Sequence, residues 1–224
     1  MTARDRSEAG QAFPIYIVMV AGLLFLAFAF FAVGQAAAAR NGAQGAADAA
    51  ALAAAQQARD DLMVPFLQAL REPDGLNDFL GGYQYFGAGE SEAVRLASRN
   101  RSDLTDFYWR QGYWQDRVTA KVRTRYTVGS SVIPSTKNAH ATASATAVVE
   151  FRCTLKSVPQ APDPGQSESR DEDDGDKGKG DADGTLGPFE FRCDGGQDVT
   201  IDLTDKDPVP ELGKLIFAVH LTDN

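Results

Sequence analysis

The string EFRC occurs twice, at Glu150–Cys153 and at Glu190–Cys193, and it contains both cysteines of the chain. A metal would need more ligands than two thiolates, and neither cysteine has a Cys-x-x-Cys or histidine neighbour to supply them. Two readings remain: a disulfide in an oxidising compartment, or two buried free thiols. A bond from Cys153 to Cys193 would close a loop of about 40 residues, which is on the order of 3–4 kcal/mol in the chain-entropy picture. Each cysteine is expected to end a strand, which leaves the geometry of an antiparallel pairing open.

Other chemistry is sparse. His140 and His220 stand in separate strand-like contexts, and no Gly-x-Ser-x-Gly, phosphate loop or His-Glu-x-x-His occurs. Carboxylates are dense only in residues 159–188, where nine acidic side chains against three basic ones give −6 of the chain's net charge of −9. That stretch has almost no apolar side chain, so it cannot offset the entropy of ordering and is expected to be a disordered insert. A flexible segment cannot hold catalytic geometry. A calcium loop of the EF-hand type would need glycine at its sixth position, whereas starts at Asp171 and Asp174 put Gly175 and Gly178 at the fifth. The residues therefore predict no enzyme, no cofactor and no metal. The acidic balance, with no cluster of Lys and Arg, argues against a nucleic-acid partner.

What must position the rest is an anchor. Phe13–Val33 reads FPIYIVMVAGLLFLAFAFFAV, 21 residues without a charge. A hydrocarbon core of ~30 Å needs about 20 apolar residues at helical rise, and only a helix satisfies its backbone there. Pro14 falls in the first turn, where a missing N–H costs least. A cleaved signal peptide is the rival reading, but its apolar core runs about 7–15 residues, shorter than this span. Arg4 and Arg6 precede the span and Arg40 alone follows closely. The positive-inside rule then predicts a cytoplasmic N-terminus and an extracytoplasmic C-terminal domain.

Residues 34–60 are rich in alanine, the best helix former. Arg40, Asn41, Gln44 and Asp48 recur at spacings of three and four and share one face. Ala36, Ala39, Ala43, Ala47, Ala50 and Ala54 share another, which reads either as a solvated stalk or as a small-residue surface for a second helix. Gly34, Gly42 and Gly45 are places where this helix could bend.

Residues 61–116 read as short helices and loops, with Leu62, Phe66, Leu67 and Leu70 on an apolar face interrupted by Pro65 and with Ser91 as a helix cap. Phe107, Tyr108, Trp109, Tyr113 and Trp114 form an aromatic cluster, read as a packing anchor or a ligand-binding patch. From Arg117 the period is two, with Val118, Ala120, Val122, Thr124 and Tyr126 on one face. Thr142–Cys153 is a second strand, and Phe189–Cys193, Val199–Leu203 and Leu215–Leu221 are weaker ones, together an antiparallel meander.

The run RNGAQGAADAAALAAA from Arg40, directly after an apolar span, resembles the N-terminal signature of TadE/TadG-like proteins of the Tad (tight adherence) or Flp pilus-assembly machinery. In that family an Arg, a Gln and the string AADAAALA recur at this spacing, and Glu8-Ala-Gly-Gln11-Ala is similar to the short motif before the span. The likeness covers residues 6–58. Flp-type prepilins are cut after a glycine that precedes a Glu-Tyr pair; counting from Gly10 finds Ile15 and Tyr16, so the Glu is absent and no processing is expected.

The resemblance implies a membrane-anchored structural or assembly component of a pilus or secretion apparatus. Its partners would be membrane lipid and other pilus-assembly or pilin-like helices, with a homo-oligomer among the arrangements. Arg40, Ala43, Gln44, Ala47, Asp48 and Leu52 would be its helix-packing residues. The expected fold is α+β, pilin-like in outline. A tail (1–12), a transmembrane helix (13–33) and an alanine-rich extension (34–60) lead into an outer domain (61–158), the acidic insert (159–188) and terminal strands (189–224). The alternative function is a surface-anchored ligand-binding or adhesin module with the helix as a stalk.

Overall fold

The computed structural model describes residues 12–82, 88–130, 134–157, 188–204 and 211–222. Nearly all of the expected tail and of the acidic insert lies outside these described residues.

One helix, α1 (Ala12–Ala69), dominates the chain. No glycine ends it, and it runs on through Pro65, nine residues past the expected end at 60. Proline inside a helix costs ~3 kcal/mol or more through a lost hydrogen bond and a ring clash. Here Leu62, Phe66 and Leu70, all buried, hold the last two turns against the core. Two short helices follow, α2 (Gly75–Gly82) and α3 (Glu90–Arg99). Ser91 does not cap α3. The preceding residue is Gly89, at φ +75°, and a Cβ there would collide with the backbone of Ala54 in α1. Close approach of the two helices thus decides where α3 begins, while Glu90 and Glu92 face its positive end.

Two antiparallel meanders form in place of one. The first sheet has the order β1 (Ser102–Arg110), β2 (Gln115–Thr127), β3 (His140–Phe151), β7 (Phe217–Leu221). The second has the order β4 (Cys153–Ser157), β5 (Phe189–Cys193), β6 (Gln197–Ile201). A short helix, α4 (Leu212–Ile216), leads into β7. The chain changes sheets at Arg152. Its backbone N–H donates to Ile216 O at 3.0 Å, and its guanidinium donates to the Leu215 and Lys214 carbonyls at 2.8 and 2.7 Å. Cys153 therefore opens β4 rather than ending a strand, and it stands directly opposite Cys193 in the ladder. The two are bonded as a disulfide, with Cα atoms 3.9 Å apart.

Alternation places Val118, Ala120, Val122 and Thr124 inward on β2, as expected. On β3 the inward residues grow along the strand, from Ala143, Ala145 and Ala147 to Val149 and Phe151. The facing side of α1 grows in the same direction, from alanines up to Ala58 to Leu62, Phe66 and Leu70. Small side chains allow close approach at one end, and large ones fill the space at the other. At that wide end Phe66 is fully buried and is ringed by Phe79, Phe151, Phe191 and Phe217, with ring centroids 5.6–6.0 Å away. The two EFRC strings meet here, because Phe151 and Phe191 both point at Phe66 and the cysteines two residues on are joined.

On the exposed side of the second sheet, Arg192 and Lys156 both bind Asp198, and their hydrogen bonds hold its carboxyl down at about 2.

Phe66 is, with Phe191, among the largest fully buried side chains of the described residues, so Phe66→Ala should lower unfolding stability by about 3–5 kcal/mol. Val64, 64% exposed on the same turn, should change stability by no more than about 0.5 kcal/mol on conversion to alanine. Denaturant titration of the full chain in detergent reads both.

Candidate functional site

The features able to engage a partner lie along α1, and they fall into two zones. From Phe13 to Val33 large apolar side chains are turned outward: Phe13 is 72% exposed, Phe25 65% and Phe30 77%. Only 6% of the most apolar 18-residue stretch is buried, so this is no core helix of the folded domain. Among the described residues it is the one helix long and apolar enough to cross a membrane.

Past Val33 the same helix turns inward. Ala39, Ala43, Ala46, Ala47, Ala50, Ala51, Ala54, Ala55 and Ala58 are all buried, at helical spacings of three and four. Their neighbours in the core are Val118, Ala120 and Val122 of β2, Ala145, Ala147 and Val149 of β3, and Ala93 and Ala97 of α3. The small-residue face is therefore covered by this chain's own sheet and helix. Ala43 and Ala47, expected to meet a second helix, are both 0% exposed inside the domain. Of the stripe named in the sequence, Ala36 alone is open to solvent.

The remaining expected residues form a different strip. Arg40, Gln44, Asp48 and Leu52 follow one another at four-residue steps along the flank of α1. Arg40 is exposed and the other three are half-buried. Gln44 Nε2 donates to Asp48 Oδ1 at 2.8 Å, which holds the two polar heads together one turn apart. Beyond Asp48 the strip opens into a groove of about 340 Å³ between α1 and α3, lined by Leu52, Gln56 and Asp60 on one wall and Glu92, Arg95 and Leu96 on the other. Such a surface offers apolar contact edged with hydrogen-bonding groups, which suits another helix.

The aromatic cluster divides. Phe107 and Trp109 pack on the core, and Trp109 Nε1 donates to Ala88 O at 3.1 Å. Tyr108, Tyr113 and Trp114 are exposed at 40%, 58% and 39%. Trp114 borders a second feature that the sequence does not announce: an apolar cleft of about 590 Å³ between the end of α1, the start of α2 and the second sheet, lined by Leu70, Leu76, Leu80, Phe151 and Leu155. Its residues come from four separate stretches of sequence, 69–80, 114, 151–155 and 189, which no local pattern links. Among the described residues no group of three or more His, Cys, Asp or Glu is placed to hold a metal ion. His140 Nδ1 lies 2.7 Å from Thr124 O and serves the β2–β3 pairing.

Residues 10–57 match the model of the putative Flp pilus-assembly TadE/G-like family. No curated protein and no solved structure matches the chain. The matched segment takes in the apolar span and the alanine helix and stops before α2 and both sheets.

If the small face of α1 is used inside the chain, enlarging it must damage the domain itself. Ala47→Leu should destabilise the fold by about 1–3 kcal/mol through overpacking. Gln56→Leu, on the exposed flank, should leave unfolding within about 0.5 kcal/mol of the parent. Thermal unfolding of the two variants in detergent distinguishes these outcomes.

Proposed function

We propose that the chain is a single-pass structural or assembly component of a Tad-like (Flp) pilus or a related secretion apparatus, and that it performs no catalysis. The observation that carries this is the coincidence of the TadE/G-like segment with a helix that is apolar and outward-facing at one end and locked into a folded domain at the other. Phe13–Val33 serves as the retained membrane span, with the N-terminus in the cytoplasm. The disulfide supports a domain held on the oxidising side, because such bonds persist outside the cytosol. Partner helices pack first on the outward apolar side chains within the bilayer. Outside it they engage the strip of Arg40, Gln44, Asp48 and Leu52. The alanine face stays with the domain.

A second reading, a surface-anchored ligand-binding module, is favoured by one observation: the apolar cleft beside the exposed Trp114. Site-specific photocrosslinking in the native cell separates the two. Probes at Phe25 and Gln56 should capture other membrane-anchored assembly proteins, a probe at Glu190 should not, and the chain should resist alkaline extraction. Release into the soluble fraction, or an abundant chain with no adduct at Phe25 and Gln56, contradicts the assembly role. Adducts confined to a probe at Trp114 would transfer the function to the cleft.

A further inference from the structure

Two close approaches fix how the first sheet lies along α1. A Cβ on Gly42 would collide with the Tyr126 hydroxyl, so the end of β2 sits against that turn of the helix. Three residues further along the chain, a Cβ on Gly129 would stand 3.7 Å from Gln35 Oε1. Residues 126–129 thus run down the helix toward the apolar span. Ala32, Gln35, Ala39 and Ala43 continue one line at steps of three, four and four, and Ala32 is only 3% exposed although its neighbours Phe31 and Val33 are open.

Residues 135–139 are held at the same level. Thr136 Oγ1 donates to Gly129 O at 3.0 Å, and Val128 N–H donates to Ala139 O at 2.8 Å. Lys137 and Ser135, both exposed, therefore stand level with Gln35. From Phe13 to Gln35 the helix rises ~33 Å, which is the thickness of the hydrocarbon core with little to spare. This end of the domain meets the bilayer surface when Phe13–Val33 spans it.

The charge there runs against the rest of the molecule. The chain carries −9 overall. Around Gln35 to Gly42 the exposed cations include Arg40, Lys137, Arg101 over the Tyr126 ring, and Arg125, whose backbone N–H donates to Arg101 O at 2.8 Å. Of the carboxylates nearest this end, Asp103 is paired with Arg125 at 2.7 Å and Asp48, further along α1 and half-buried, accepts from Gln44. Cations held at a membrane face are drawn to anionic headgroups, by about 1 kcal/mol each.

We propose that this end of the outer domain, formed by residues 128–130 and 135–139, Lys137 among them, with Arg40 and Arg101, is a docking surface for anionic phospholipid headgroups. The docking rests on the membrane-span reading of Phe13–Val33. It would fix the tilt of the domain, and so set the direction in which the α1–α3 groove is presented to a partner.

The test uses the full chain, disulfide intact, in nanodiscs of phosphatidylcholine alone or mixed with phosphatidylglycerol. A fluorescent label is placed on Ser135→Cys, with Thr200→Cys on the distant second sheet and Leu23→Cys in the span as references. Quenching by lipid-borne and by water-borne quenchers is compared. The label at 135 should be shielded from water and reached from the lipid in the phosphatidylglycerol discs, the label at 200 should remain in water, and high salt should release 135. Arg40→Ala with Lys137→Ala should lower the docked-to-free ratio roughly five-fold for each cation removed. A label at 135 as water-exposed as that at 200, or shielded equally in both lipids, overturns the proposal. A label at 23 that lipid quenchers cannot reach would instead overturn the span.

Discussion

Alanine brings little bulk and no side-chain entropy to a contact, so a helix edged with it can be approached almost to its backbone. From Ala39 to Ala58 that is how α1 is used: both central strands and α3 press on it, alanine often meeting alanine. Much else follows from this contact. It requires glycine at 89, where the start of α3 touches Ala54, and at 42, where Tyr126 does. It requires short side chains on the near half of β3. It also leaves the wider end of the wedge to be filled by Phe66 and the four phenylalanines around it.

The same contact joins the two halves of the protein. A helix crossing a bilayer and then ending in a flexible stalk would leave its domain free to swing. With Phe13–Val33 as the proposed span, the helix would not end at the membrane surface but would continue as the central element of the domain, so a tilt of that span would be passed on as a tilt of both sheets. The polar strip from Arg40 to Leu52 keeps a fixed angle around the helix relative to the outward apolar side chains below it. On the proposed function, a partner packing alongside in the bilayer would meet a defined surface above it, which suits an assembly protein better than a tether.

Features governed by a local rule could be read from the residues. The uncharged span, the two-residue alternation of β2 and β3, and the repeated EFRC string each carry their pattern in neighbouring positions. Features decided by distant packing could not. The residues of strand β1 carry no strand signal in the sequence because the register shifts between Leu104 and Asp106, so the inward residues are Leu104, Phe107 and Trp109 and the alternation is broken. Pro65 marked a helix end that the burial of Phe66 overrides. The small-residue face of α1 was legible, but its occupant was not: spacing shows that something approaches closely, and only the topology shows that it is this chain's own sheet. The cysteine geometry was open for a similar reason. Arg152 turns the chain from one sheet to the other, so one EFRC string closes a strand at its phenylalanine and starts the next at its cysteine.

The central claim is that one unbroken helix serves as both span and core. It is tested most directly by a distance across the point where the helix leaves the bilayer. Spin labels at Phe30 and Asp60, both exposed, can be placed in the full chain in lipid nanodiscs and their separation measured by pulsed dipolar spectroscopy. Thirty residues of continuous helix predict a single narrow distribution near ~45 Å. A broad distribution, or a main distance well short of that, would mean a hinge at the membrane surface and would contradict the account.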